Sequence, residues 1–381
     1  MQYNYEDIDS VKIARIVYLK KRTGKIMIVI PIALIILIFL TFGYWCYISG
    51  NKIRDYKGEE GSISSKETIE INGALNGLFI NGRDTANPIL LLVSSGPGTD
   101  DYFLTERFSD MHIDDIFTVV YWDYRGMGIA YDSSINPEEI TEEVLLEDTR
   151  AVSEYLMNRF NKEKIYIMGF SGGSKIAINA TKKYPDLFYA YIGMAQVVTD
   201  LSERDQLMYD FMKAIFEERN DKKSLRNLEK AVHYEDGKLC CNDWGQYVML
   251  LHKAGGGTTY NETEFIGVDL PIIMAHCYTI PEKIGYIRGL KMYRKTAFEA
   301  DSKNFDYRVS LNEFEIPVYF ISGVYDYNCP QPLVRDYCDK IAAKDKKFYL
   351  IDKAAHSPLW ENAEDSFKVF LEIKEKSYHE E

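Results

Sequence analysis

Residues 164–174 read Lys164-Ile165-Tyr166-Ile167-Met168-Gly169-Phe170-Ser171-Gly172-Gly173-Ser174. The run from Lys164 to Met168 is short and apolar, as a strand buried on both faces would be. A helical pattern follows from Ser174 to Lys183. Between them Gly169-Phe170-Ser171-Gly172-Gly173 is a G-x-S-x-G turn in the strand–turn–helix setting which that motif requires. Small residues at 169 and 173 let the backbone turn sharply, so that the Ser171 hydroxyl projects above the sheet. The Gly172 amide then lies at the helix N-terminus, able to donate to an oxyanion. A plain helix cap would use the same residues; the strand in front of them favours a nucleophile.

A nucleophilic serine needs a base, and the base needs an acid to orient it. Past the predicted strand Val318–Ile321 come Gly323-Val324-Tyr325-Asp326, with Pro330 shortly beyond. Past Phe348–Ile351 come Ala354-Ala355-His356-Ser357-Pro358. Both polar residues therefore fall in loops at strand ends, where open α/β sheets build their sites. His112, His233, His252 and His276 lie outside such loops, and His379 is in the tail. Ser171, Asp326 and His356 are the expected catalytic residues. A second oxyanion donor is expected from Ser94-Ser95-Gly96-Pro97-Gly98 after the strand Ile89–Val93, with the Gly96 amide beside that of Gly172.

Other short apolar runs, at Phe117–Trp122 and Tyr189–Met194, also read as buried strands, and Thr68–Ile71 with Gly77–Ile80 reads as a hairpin around Asn72-Gly73. Thr141–Phe160 carries an apolar stripe and an acidic first turn, the marks of an amphipathic helix. Strands alternating with helices predict a doubly wound α/β core. From Val197 to Glu313 the rhythm breaks. Leu201–Glu218 and Lys223–Val232 look helical, Gly255-Gly256-Gly257 marks a loop, and no strand is evident.

Ahead of this core, Ile26 to Ile48 carries no charge. As a helix it would span roughly 34 Å, enough to cross a bilayer. It is too long for a cleaved signal peptide, and Tyr44-Trp45-Cys46-Tyr47 offers no small-residue cleavage site. More basic residues precede it than follow it, which puts the N-terminus in the cytoplasm and the large domain outside. The expected organisation is a basic tail at 1–25, a transmembrane anchor at 26–48, a tether at 49–66, a core at 67–196 and 314–375, and a helical cap at 197–313.

With 46% apolar and 27% charged residues the 381-residue chain has a globular composition, which excludes wholesale disorder. Its net charge of −13 argues against nucleic acid as a partner. Six cysteines show no paired C-x-x-C pattern of a zinc site and are too sparse for a disulfide scaffold. Cys240 and Cys241 are either unpaired thiols or bridge to a residue such as Cys277. The chemistry read here requires no metal or organic cofactor.

Taken together these motifs resemble the prolyl iminopeptidase-like branch of the α/β hydrolases, over roughly residues 66–375. That family carries His-Gly-Gly-Pro-Gly in its first oxyanion loop, and Gly96-Pro97-Gly98 match the last three positions, with Ser94-Ser95 in place of His-Gly. Its Asp-x-Arg-Gly-x-Gly-x-Ser matches Asp123 to Gly128, with Ala130 at the final position. Glu147–Thr199, Ile316–Pro330 and Ala355–Pro358 also resemble the family, whereas Gly172 stands where a large residue is often found. The resemblance implies an α/β-hydrolase sheet with helices on both faces and a helical cap, with Asp123 and Arg125 stabilising the fold. It implies hydrolysis of short peptides from a free amino terminus, which cap acids would bind. Glu203, Asp205, Glu217, Glu218, Glu262 and Glu264 are the candidates here. An esterase or lipase-like enzyme acting on acyl esters is the alternative, and a silent binding protein on the same fold is the third. Paired carboxylates facing Ser171 would favour the peptidase; an apolar tunnel would favour the esterase.

Overall fold

The computed structural model describes residues 30–378 except 33, 48, 51, 97–100, 200–201, 261, 264 and 302–304. It divides into two units, Met1–Gly50 and Asn51–Glu381. In the first, Ile30–Tyr47 is a helix of mean hydropathy 2.1, long and apolar enough to cross a membrane. The tail at 1–25, residues 26–29 and Ile48 lie outside the described residues.

The second unit is built on an eight-stranded sheet. Its strands are β1 (Ile63–Ile71), β2 (Ala74–Gly82), β3 (Ile89–Val93), β4 (Thr118–Asp123), β5 (Ile165–Phe170), β6 (Phe188–Met194), β9 (Val318–Gly323) and β10 (Lys346–Ile351). The spatial order is β1-β2-β4-β3-β5-β6-β9-β10. β2 runs against both of its neighbours, and every pairing from β4 to β10 is parallel. The β1–β2 turn is Asn72-Gly73, with φ of 48° and 72°. Both residues are left-handed, as a two-residue hairpin loop demands, and this is why asparagine and glycine stand there.

Alternation along the strands builds two cores. Ile89, Leu91, Val93, Ile165 and Ile167 face one layer, which holds Leu145, Val152 and Leu156 of the helix Glu142–Phe160 and Ile176, Ala177 and Ala180 of the helix Gly173–Lys183. Leu90, Leu92, Tyr166, Met168 and Phe170 face the other, with Leu359, Trp360, Phe370 and Ile373. Because both faces are covered, these strands read in the sequence as unbroken apolar runs. Asp123 and Asp148 act structurally. Asp123 Oδ2 accepts the Ile129 amide at 2.7 Å, and Asp148, fully buried, accepts from Arg125 Nε at 2.5 Å and Asn72 Nδ2 at 2.9 Å.

Two features depart from the sequence reading. Residues 52–62, within the tether expected at 49–66, are fastened to the domain. Arg54 Nη1 donates to Asp114 Oδ1 at 2.8 Å and to the Met111 carbonyl at 3.0 Å, while buried Tyr56 hydrogen-bonds Asp114. β1 then starts at Ile63, inside the expected tether at 49–66. In addition, the insertion is not wholly helical: β7 (Val232–Glu235) and β8 (Lys238–Cys241) form a hairpin. Together with the helices Ser202–Glu218, Lys222–Lys230 and Trp244–Ala254 it encloses a separate apolar cluster around Met208, Met212, Phe216, Tyr247 and Leu251. The later stretch Val268–Tyr278 instead joins the core under the sheet. Cys240, Cys241 and Cys277 are free thiols, so the possible bridge to Cys277 does not form.

Candidate active site

Ser171 leaves β5 with φ 50°, a left-handed conformation that costs a non-glycine residue of order 1–3 kcal/mol. The surroundings hold it there. Its amide donates to the Met194 carbonyl at 3.0 Å, and its carbonyl accepts the Ser174 amide at 2.9 Å. The turn is also too tight for side chains. A Cβ at Gly169 would lie 2.5 Å from the Ser174 Cα, and one at Gly173 would lie 2.1 Å from the Ser94 carbonyl oxygen. These glycines are what let the helix Gly173–Lys183 pack against the ends of β3 and β5.

At this turn Ser171 Oγ lies 2.8 Å from His356 Nε2. His356 Nδ1 lies 3.1 Å and 3.2 Å from the two Asp326 oxygens. Asp326 is fully buried, and His356 is 3% exposed. Asp326 Oδ1 also accepts the Cys329 amide at 2.9 Å, which fixes the carboxylate. The loops bearing the two residues interlock: a Cβ at Gly323 would lie 2.1 Å from the Ala355 carbonyl, and the Tyr325 amide donates to the Ala354 carbonyl at 3.0 Å. Such a chain of contacts can move the hydroxyl proton to the imidazole while the carboxylate holds the ring. Cys329 is the other potential nucleophile beside Ser171. Burial pushes its thiol well up, with Asp326 adding to the shift, which keeps it neutral.

The oxyanion loop meets the turn from the other side. The Ser95 carbonyl presses on Gly172, where a Cβ would approach it to 2.6 Å, so the Ser95–Gly96 peptide adjoins Gly172. Gly96 has φ +54°, and a Cβ on it would lie 2.6 Å from the Tyr124 hydroxyl. Asp101, buried, accepts the Ser95 amide and hydroxyl, each at 2.6 Å. Pro97 and Gly98 lie outside the described residues.

Three contributors were invisible to motif reading. Glu361, on the short helix Pro358–Glu361, accepts the Ala355 and Ser357 amides at Oε2, both at 3.0 Å, and the Tyr260 amide at Oε1 at 2.5 Å. It thus grips His356 from both sides along the chain. Burial raises its carboxyl to about 7 against those bonds, with Asp326 adding to the rise. The second is the triple glycine, expected only as a loop: the Gly257 carbonyl accepts the His356 amide at 3.4 Å, and Gly256 abuts the Tyr325 carbonyl. The third is aromatic. Tyr325 and Tyr327 flank Asp326 and stack on Tyr260 and Phe211 of the insertion, with centroids 4.2 Å and 4.0 Å apart. The insertion is therefore clamped onto the Asp326 and His356 loops.

A cavity of about 550 Å³ opens beside Ser171, Gly96 and Gly172. None of the described cap acids nominated from sequence lines it. Glu203 pairs with Arg308 at 2.6 Å, Asp205 with Arg204 at 2.9 Å, Glu262 with Arg107 at 2.5 Å and Glu217 with Lys213 at 4.0 Å. Glu218 is also absent from the lining, and Glu264 lies outside the described residues. Among the described residues the carboxylate that lines the cavity is Glu299, which sequence reading missed because it sits on a five-residue helix, Ala297–Asp301, with no motif around it.

Comparison with known proteins agrees with this fold. The sequence profile of the alpha/beta hydrolase fold matches residues 88–250. A probable aminopeptidase of Bacillus subtilis, YbaC, is 28% identical over 79% of this chain and 93% of its own length. The structure of a proline iminopeptidase-related protein from Thermus thermophilus superposes with a TM-score of 0.53 at 17% identity, over 83% of this chain and 98% of that one. A proline iminopeptidase from Mycobacterium smegmatis gives 0.57 at 13% identity, over 82% and 98%. The chain has the α/β-hydrolase fold and is similar to hydrolytic enzymes, prolyl iminopeptidase-like proteins among them.

Proposed function

We propose that the chain is a membrane-anchored serine hydrolase that works by acyl transfer, acting as an aminopeptidase on short peptides. The observation that carries the reading is the 2.8 Å contact of Ser171 Oγ with His356 Nε2, with Asp326 on the other ring nitrogen, at a strained strand-to-helix turn. Ser171 Oγ attacks the scissile carbonyl carbon while His356 Nε2 takes its proton. The amides of Gly96 and Gly172 receive the oxyanion, each such donor contributing about 3–4 kcal/mol. Collapse breaks the bond to the leaving group, which departs with the proton from His356. Water, deprotonated by His356, then attacks the acyl-serine, and the proton returns to Ser171 as the acid is released. Every step is met by groups of the chain. The peptidase assignment draws on the aminopeptidase name of the Bacillus subtilis relative.

In this reading residues 26–48 anchor the chain in the bilayer, the basic tail at 1–25 is cytoplasmic, and the catalytic domain is extracytoplasmic. The helix Ile30–Tyr47 supports the anchor by its length and hydropathy. The core spans 67–196 and 314–375, and 197–313 caps it.

The test is turnover by the full-length protein in detergent of aminoacyl 4-nitroanilides, short-chain esters and long-chain esters. The account expects the aminoacyl arylamides to give the highest kcat/KM. Preference for the long-chain esters would contradict the peptidase assignment in favour of the esterase.

A further inference from the structure

Among the described residues, the cavity beside Ser171 is lined by one carboxylate and not by a pair. Its charged lining among these residues is Lys175, Arg204 and Glu299, two cations to one anion. Arg204 is anchored in a fixed pose. Its guanidinium lies 4.5 Å over the Trp244 ring, and among the described residues Asp205 is the acceptor of its Nε and Nη2 bonds, at 3.1 Å and 2.9 Å. Nη1 is the nitrogen left to serve a ligand. A guanidinium stacked on an indole and pinned along one edge loses little freedom when it meets an anion, so its bonding energy is not spent on ordering.

Lys175 lies on the nucleophile's own helix, one turn beyond Ser171. Its Nζ is 3.7 Å from Glu299 and 4.9 Å from the centre of the Phe298 ring. Glu299 therefore already faces a lysine. The charge of Arg204 and Lys175 is felt beside the reacting centre: burial and then Asp326 hold the Cys329 thiol well up, and the two cations offset part of that rise. The helix N-terminus at Gly172 adds the same sign. In a chain of net charge −13, two cations thus stand in the described lining of this cavity, each with one carboxylate beside it.

We propose that the preferred substrate carries a carboxylate close to its scissile acyl carbon, bound by Arg204 with Lys175 beside it. This rests on Ser171 being the nucleophile, and the substrate class it names is an acidic acyl group: an aspartyl or glutamyl residue, or the half-acid of a dicarboxylic ester.

Matched substrate pairs test it on the full-length protein in detergent: glutamyl against glutaminyl 4-nitroanilide, and the 4-nitrophenyl monoester of adipic acid against 4-nitrophenyl hexanoate. Each pair differs in charge at nearly constant shape. The expected result is a preference for the acidic member of whichever pair is turned over, in kcat/KM, of roughly ten- to hundredfold. Arg204→Gln should erase that preference by raising KM, and Arg204→Lys should retain part of it because the charge stays. Labelling of Ser171 by a fluorophosphonate is followed in parallel. Labelled enzyme that favours the neutral members, or an Arg204→Gln variant that keeps the full acidic preference, overturns the carboxylate proposal and leaves the nucleophile standing. Absence of labelling in folded wild type overturns the reading of Ser171 itself, and this proposal with it.

Discussion

Around His356 the backbone is held by a carboxylate that no motif announces. Glu361 takes the amides on either side of the imidazole and ties them to the Tyr260 amide of the insertion, so its charge state bears on the stability of the site. Its folded value of about 7 lies above the ordinary 4.5. A raised value means that the folded protein holds this proton more tightly than the unfolded chain. Its contribution to stability is therefore fully present below about pH 4.5 and is lost as pH rises through about 7. Thermal melting of wild type and Glu361→Gln at pH 5 and pH 8 measures this. The wild type should lose more melting temperature across that interval than the variant, and parallel losses would contradict it. Ser171, Asp326 and His356 themselves were legible because each follows a strand end, where a few residues of local pattern suffice. Glu361 and Asp101 were not: their partners are chosen by the loop they face, and an acid on a short helix looks like any solvated acid.

Elements were read well where both faces are buried and poorly where one is solvated. β3, β5 and β9 are unbroken apolar runs covered from both sides, and their boundaries fall within two residues of the expectation. β7 and β8 carry largely exposed residues, so no apolar pattern marks them, although Asp236-Gly237 is a hairpin turn signal. The segment 52–62 was misread for a related reason. Its glycines, serines and charges describe a linker, while the residue that fastens it, Arg54, finds its partner Asp114 far along the chain. Arg54→Ala would leave Asp114, 2% exposed, with one partner fewer, and should destabilise the domain by about 3 kcal/mol. Urea unfolding followed by tryptophan fluorescence checks this. A change under about 0.5 kcal/mol, the size of an ordinary surface substitution, would contradict the strap.

For the molecule as a whole, the sheet delivers three loops to one end, and the insertion closes over them. The Gly255–Gly257 bend, the two tyrosine stacks and the Tyr260 bond to Glu361 join the insertion to the loops of Asp326 and His356. Substrate access and the geometry of the acid–base pair are thereby linked in one structure. Fold class was readable from the alternation of strands and helices. What the cavity selects was not, because Arg204, Lys175 and Glu299 meet there from three separate helices. The most direct test of the central claim is covalent. The full-length protein in detergent is incubated with a fluorophosphonate, and the modified residue is located by peptide mass mapping. The account predicts a single adduct on Ser171, absent in Ser171→Ala and formed at least roughly a hundredfold more slowly in His356→Ala. A folded wild type that takes no label, or a label that persists in Ser171→Ala, would contradict it.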